Sequence, residues 1–153
     1  MSLVCDQPAD VDALAAAAQR AGATTIKPVS KSFWGYGGSL RSPDGTVWTL
    51  ASSSKKNTAP PTGRADQLVL LIGVDDVAAT KAFYSERGLA VGKSFGRKYV
   101  EFDTPGAAVT LAVQGRKAVA KNAGVDPAGS GSRRLTVVGG LGALTDPDGY
   151  RWE

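Results

Sequence analysis

Fourteen carboxylates and no histidine bound the chemistry open to this 153-residue chain. Non-haem iron oxygenases hold their metal with two imidazoles and a carboxylate, and zinc or nickel lyases also draw on imidazole, so dioxygenase chemistry is excluded and no cofactor is expected. Nucleophilic catalysis is as poorly served. Ser and Thr are plentiful, but a base would have to be Lys, Asp or Glu, and no nucleophile-elbow spacing occurs. Glu101 is the carboxylate of most interest. On a strand facing a partly apolar hollow its pKa would rise and it would serve as a base, the candidate catalytic group; a solvated residue or a partner for Lys98 or Arg97 is the plainer reading. The single cysteine, Cys5, rules out an internal disulfide, suits a reducing cytosol and is expected as a small buried hydrophobe.

Candidates for binding follow from spacing. Trp34 and Tyr36 are expected in a Gly-rich loop before a strand, where large aromatics either close over a ligand or pack locally. By the two-residue period of a strand, Tyr99, Glu101 and Asp103 share one face, and Thr110, Ala112 and Gln114 share the corresponding face of the next strand. Arg116, Lys117 and Lys121 read as a wet helix face. The net charge of +4 is scattered, without a basic run, so no nucleic-acid footprint is present. No stretch approaches the length of a membrane span, and a soluble, cytoplasmic protein is expected.

These side chains need elements to hold them, and the sequence predicts an α+β chain. Nineteen glycines and eight prolines point to many tight turns. Residues 3–6 read as a strand, 8–21 as a helix with Val11, Leu14, Ala15 and Ala18 on one side and Gly22 as its stop, and 24–29 as a second strand. A polar segment, 54–65, reads as a linker. Beyond it come an apolar strand, 67–74, and a helix, 76–87, with Val77, Thr80 and Tyr84 on one face. Strands at 91–95, 98–103 and 109–114, a short basic helix at 116–123 and a strand at 134–138 follow. An internal repeat orders the whole: Gly38 through Pro43-Asp44-Gly45 to Trp48 matches Gly142 through Pro147-Asp148-Gly149 to Trp152, each a hairpin with a Trp three residues after its Gly. Both chain ends fall in strand-like residues, as trimmed ends would.

Two signatures carry a resemblance. The run from Asp76 through Thr80 to Phe83-Tyr84 and Arg87-Gly88-Leu89 resembles the first-module helix of the glyoxalase / bleomycin-resistance / extradiol-dioxygenase superfamily, the vicinal oxygen chelate proteins. The run Trp34-Gly35-Tyr36-Gly37-Gly38 to Pro43-Asp44-Gly45 and Trp48 resembles its second-module ending, with Ser42 in place of an Asp that Asp146 keeps in the second copy. The resemblance implies βαβββ modules forming curved mixed sheets, with helices on the convex face and a small molecule in the cup. The expected organisation is a second-module-like unit at 3–53, the linker at 54–65, and a second βαβββ module with a helix-poor partial module at 66–153. The family's last-strand glutamate falls on Thr49 and on Ala112, neither of which replaces it. Gln67 and Glu153 are the nearest stand-ins and would hold a hard cation weakly. If Thr49 faces the cup, so do Val47 and Ala51, while Trp48, and by the repeat Trp152, face the helices.

The expected function is therefore a glyoxalase-like or bleomycin-resistance-like protein that binds a flat, partly apolar small molecule without a catalytic metal. Its ligand would lie among Trp34, Tyr36, Thr49, Tyr99, Glu101, Thr110 and Gln114. A homodimer, with or without module exchange, is expected, and no nucleic-acid or membrane partner. The alternative is a metal-dependent lyase or isomerase of the same superfamily using Glu101 or Glu153; a third reading is an interaction domain whose sheet face is buried on another chain.

Overall fold

A strand that must give way to a helix within four residues needs its first helical N–H groups satisfied. In the computed structural model, which describes residues 1–129 and 135–153, β1 (Ser2–Val4) is followed by α1 (Pro8–Arg20). Pro8 opens α1 where a missing N–H costs nothing. Gln7 makes no side-chain cap; Asn57 Oδ1 supplies it from outside, accepting from Ala9 N at 2.8 Å. At the other end Gly22 takes a φ of +95°, and Gly22 N and Ala23 N donate to the carbonyls of Gln19 and Ala18, closing the helix in a Schellman turn.

The chain divides into two compact units, Met1–Leu70 with Lys121–Val125, and Leu71–Ala120 with Asp126–Glu153. In the first, β2 (Thr24–Ser32), β3 (Gly35–Arg41) and β4 (Val47–Ser52) follow α1, and β5 (Gln67–Val74) begins. The order is β2-β3-β4-β1-β5, with β1 parallel to β4 and the other pairs antiparallel. Register sorts the faces. Leu3 lies beside Leu50, and Leu40 beside Trp48, so Leu3, Leu40, Trp48 and Leu50 point toward α1, where Cys5, Val11, Ala15, Leu40 and Leu50 form the core. Trp48 is half-buried there. The opposite face carries Ser2, Val4, Gly37, Ser39, Val47, Thr49 and Ala51.

Residues 54–65 are tied to the first turn of α1. Gln7 Oε1 accepts from the backbone N–H groups of Thr58 and Ala59 (2.9 and 3.1 Å), and Asp10 Oδ1 from Gly63 N (3.0 Å) and the Thr62 hydroxyl (2.9 Å). The hydrogen bond from the Gln7 amide, then those from Thr62 and Gly63, hold the Asp10 carboxyl below the usual Asp range.

In the second unit, β5 ends and α2 (Val77–Glu86), β6 (Val91–Phe95), β7 (Tyr99–Phe102) and β8 (Val109–Gly115) follow, in the order β5-β8-β7-β6. That order repeats β1-β4-β3-β2, so both stretches are βαβββ. Asp76 caps α2, its Oδ1 accepting from Ala78 N and Ala79 N. The predicted face of α2 is the buried one: Val77, Thr80 and Tyr84. Tyr84 meets Phe102 and Trp152 edge-on, with ring centroids 5.4 and 5.1 Å apart.

α3 (Arg116–Ala123) and three short strands complete the chain: β9 (Thr136–Val137), β10 (Leu144–Thr145) and β11 (Arg151–Trp152). The start of the predicted strand, Arg134, lies outside the described residues. β11 stands between an antiparallel β10 and a parallel β9, as β4 stands between β3 and β1. Leu144 lies beside Trp152 as Leu40 lies beside Trp48. The sequence repeat is thus a structural one: 136–153 reproduces the β1, β3 and β4 positions of a module without its helix.

Asp10 gives the pH prediction for this region. Its carboxyl is lowered in the fold relative to the unfolded chain, so its contribution is present above the unfolded value, 3.8, and is lost as pH falls through the folded one. Thermal melts stepped from pH 6 to pH 2.5 should show this loss beginning below about pH 4. Asp10→Asn should melt lower at neutral pH and show a shallower acid dependence.

Candidate functional site

The face of β7 carries the densest set of predicted site residues. Lys93 on β6 lies opposite Glu101, Phe95 opposite Tyr99, and on the other side Gln114 and Ala112 of β8 lie opposite Tyr99 and Glu101. Direct cross-strand partners share a face, so Lys93, Phe95, Tyr99, Glu101, Ala112 and Gln114 stand together. Thr110, two residues before Ala112, continues the same side of β8 and is half-buried. The other side of these strands carries Val100, Phe102, Leu111 and Val113, all buried.

Two features make this face chemically specific. The Tyr99 hydroxyl donates to Glu101 Oε1 at 2.6 Å, along the strand rather than across it. Burial, and then that hydrogen bond to a carboxylate, push the Tyr99 hydroxyl well above the ordinary tyrosine range, so it stays a proton donor. Beside it, the Phe95 ring is 57% exposed, lies 6.0 Å from the Tyr99 ring at a 40° tilt, and has the Lys93 ammonium 5.4 Å from its centroid. Two rings, a cation, a carboxylate and an amide offer an apolar surface with polar groups of both signs.

The predicted residues of the first unit are dispersed. Trp34 sits with Phe33 at the turn between β2 and β3, 85% exposed. Tyr36 was expected in a loop but lies within β3, opposite Ser52, and points to the helix side, its hydroxyl donating to Asp12 Oδ1 at 2.7 Å. Glycine explains the difference. A Cβ at Gly37 would collide with the Leu50 carbonyl, so only a bare backbone lets β3 close onto β4 this early. Thr49 faces away from α1 and is half-buried, its backbone N donating to the Met1 carbonyl at 3.0 Å.

That same face is partly covered. Ser39 Oγ donates to the Ala123 carbonyl at 2.7 Å and Lys27 Nζ to the Asn122 carbonyl at 3.2 Å, so residues of the first unit's sheet cap the last turn of α3. Ser39 and Ala123 are both buried.

Sequence reasoning missed a buried polar hub in the second unit. Asp148 Oδ1 accepts from Asp75 N (2.8 Å) and Arg116 Nη2 (2.9 Å), and its Oδ2 from the Thr80 hydroxyl (3.3 Å). Asp146 accepts from the Tyr84 hydroxyl and from the N–H groups of Asp148 and Tyr150. Burial and the bond to Asp146 raise Tyr84 far above its usual value. Arg116 is therefore not part of a wet helix face. Its Nε also bonds Asp75 Oδ1 at 2.9 Å, and that bond raises its pKa. The departed Asp of the first hairpin was the available signal: with Ser42 in its place, Asp44 is spent locally on Ser42 and Thr46.

The residues present do not fit the metal that the resemblance implies. Thr49 and buried Ala112 stand where carboxylates would be needed, and Ala112 offers no donor. Gln67 begins β5 opposite Val4, and Glu153 is exposed after β11, held through its backbone to Val137 and Gly139. Among the described residues, no three of Cys, Asp and Glu come together as a cation site.

No protein-family profile matches the chain, and no curated protein does. Among solved structures it is similar to a Mn(II)-bound glyoxalase from Novosphingobium aromaticivorans, at 21% identity over 74% of this chain and 41% of that one, with a TM-score of 0.33. It is similar to an antibiotic binding protein from Streptomyces sp. CB03234 at 22% identity, covering 74% of this chain and 92% of that one, with a TM-score of 0.26. A lactoylglutathione lyase from Agrobacterium tumefaciens aligns at 19% identity over 77% of this chain and 92% of that one, with a TM-score of 0.30. The chain thus spans less than half of the Novosphingobium glyoxalase. These are glyoxalase, bleomycin-resistance and lyase structures. The βαβββ architecture itself rests on the strand order and register above. No described helix is long and apolar enough to cross a membrane.

The hub yields a stability prediction. The Asp148 side chain is 5% exposed and Arg116 30%, so Arg116→Met leaves a buried carboxylate without its cation and should cost about 3 kcal/mol in urea unfolding. Asp75 is 82% exposed, and Asp75→Asn should cost less than about 1 kcal/mol.

Proposed function

We propose that this chain is a glyoxalase-like, bleomycin-resistance-like protein that binds a flat, partly apolar small molecule without a catalytic metal, on the face formed by β6, β7 and β8. The observation that carries this reading is the Tyr99–Glu101 pair beside an exposed Phe95, with Lys93 and Gln114 as cross-strand neighbours. An exposed ring flanked by fixed polar groups is what orients a planar ligand with polar edges. Tyr99 would donate to a ligand acceptor in exchange for Glu101, and Glu101 would then accept from a ligand N–H or O–H. Thr110 extends the polar edge. Trp34 and Tyr36 take no part in this version of the site: Tyr36 is committed to Asp12, and Trp34 stands at a hairpin tip.

Binding rather than turnover follows from the residue inventory. Glu101 has a proton donor already on one oxygen, the chain has no histidine, and among the described residues no group of Cys, Asp and Glu forms a metal site to act with it. A lyase or isomerase using Glu101 or Glu153 would need a cation supplied from outside this chain's described residues. The working form we propose is a cytoplasmic homodimer, which a solution mass of twice 15.7 kDa would support.

The test is a small-molecule screen read by melting temperature and intrinsic fluorescence, followed by titration of each hit. Tyr99→Phe and Glu101→Gln should each weaken a genuine ligand by about fivefold or more, one hydrogen bond's worth. Chelator should leave its affinity unchanged. A screen without any response, or ligands indifferent to both substitutions, would remove this reading.

A further inference from the structure

The sharpest surface feature that the ligand reading leaves unused is the turn between β2 and β3. Phe33 is 82% exposed and Trp34 85%, a high exposure for two adjacent large aromatics in a water-soluble surface. They are packed on each other edge to face, with centroids 5.0 Å apart and planes at 87°, so they form one apolar knob. Lys31 precedes the knob on β2, and Lys55 reaches it from residues 53–66, donating to the Phe33 carbonyl at 2.8 Å with its ammonium 5.8 Å from the Phe33 ring. Lys56 follows, exposed.

The cations beside this tip are Lys31, Lys55 and Lys56; Asp12, the acid that reaches the neighbouring stretch of β3, accepts from the Tyr36 hydroxyl, and Asp44 is bonded within its own turn. The partner that complements an apolar knob ringed by cations carries negative charge at its surface and an apolar phase beneath it. We propose that the Phe33–Trp34 tip docks on a bilayer of anionic phospholipid, the rings entering the headgroup boundary while Lys31, Lys55 and Lys56 remain among the phosphates. Such docking departs from the sequence-based expectation of no membrane partner; no described helix is long and apolar enough to cross a membrane, and surface docking needs none.

Two details favour a bilayer over single-stranded nucleic acid, the other polymer of matching charge. Bases need separate, accessible ring faces on which to stack in succession, whereas here the edge of one ring is turned into the other. Entry into an apolar phase requires that backbone carbonyls at the tip already have partners. The Phe33 carbonyl has Lys55, and the Gly35 carbonyl has the Ser32 hydroxyl at 3.3 Å.

The experiment is sedimentation of the whole protein with vesicles of phosphatidylcholine alone and of phosphatidylcholine mixed with phosphatidylglycerol, at low and high salt. Expected is binding to the mixed vesicles only, weakened by salt, with a blue shift of Trp34 emission; Trp152 is buried and Trp48 half-buried, so Trp34 dominates that shift. The double variant Phe33→Ser/Trp34→Ser should abolish binding with its melting temperature kept, both positions being exposed. Lys31→Glu/Lys55→Glu should weaken it about tenfold or more. Quenching of the parent protein by phospholipids brominated near the headgroup gives the same answer without any variant. No partition to anionic vesicles, partition that ignores the aromatic substitutions, or binding to single-stranded RNA with vesicles refused would overturn the proposal. None of these outcomes bears on the ligand titrations at Tyr99 and Glu101.

Discussion

The second unit depends on hiding two carboxylates from water. Asp146 and Asp148 are 4% and 9% exposed, and carboxylates that deep need hydrogen-bond donors or a cation to replace water. Tyr84 and two backbone N–H groups serve Asp146, while Asp148 has the Arg116 cation, Thr80 and the Asp75 N–H. The donors come from α2, from the end of β5 and from the start of α3. A hairpin of a few residues thereby fixes the positions of three longer elements. The aromatic contacts of Tyr84 with Phe102 and Trp152 sit directly beside these bonds, so polar and apolar anchoring converge on one side chain.

This arrangement also decides which surface remains for function. In the second unit α2 packs on the side of β7 and β8 carrying Val100, Phe102, Leu111 and Val113, with Tyr84 against Phe102. The reverse side is left to Tyr99, Glu101, Gln114, Phe95 and Lys93, none of which is spent on the core. In the first unit the corresponding side is partly taken, because Ser39 and Lys27 cap the carbonyls at the end of α3. Strand parity places comparable residues on comparable faces in both βαβββ stretches; the occupant of those faces is what differs.

Much of this was legible because it obeys local rules. The 3.6-residue period marked Val77, Thr80 and Tyr84, Gly22 ended α1, and the Pro-Asp-Gly repeat proved to be two hairpins with matching strand neighbours. Period-two alternation put Tyr99 and Glu101 on one face. The failures have a common physical origin in long-range pairing. Tyr36 was assigned to a loop because three glycines around it, Gly35, Gly37 and Gly38, discourage a strand, yet those glycines allow backbones to approach closely enough for β3 to start at Gly35. Arg116 read as solvated because its partners, Asp75 and Asp148, lie 41 and 32 residues away. The polar segment at 54–65 read as a free linker because nothing local reveals that Gln7 and Asp10 bind its backbone.

Ligand recognition on one face of β6, β7 and β8 would show in the backbone amide shifts of the isotopically labelled protein, followed while a screened ligand is added. The largest changes should fall on residues 93–101 and 110–114, with those of α1 and β4 nearly still. Changes centred on Thr49 and Ser39, or spread evenly over the chain, would contradict it.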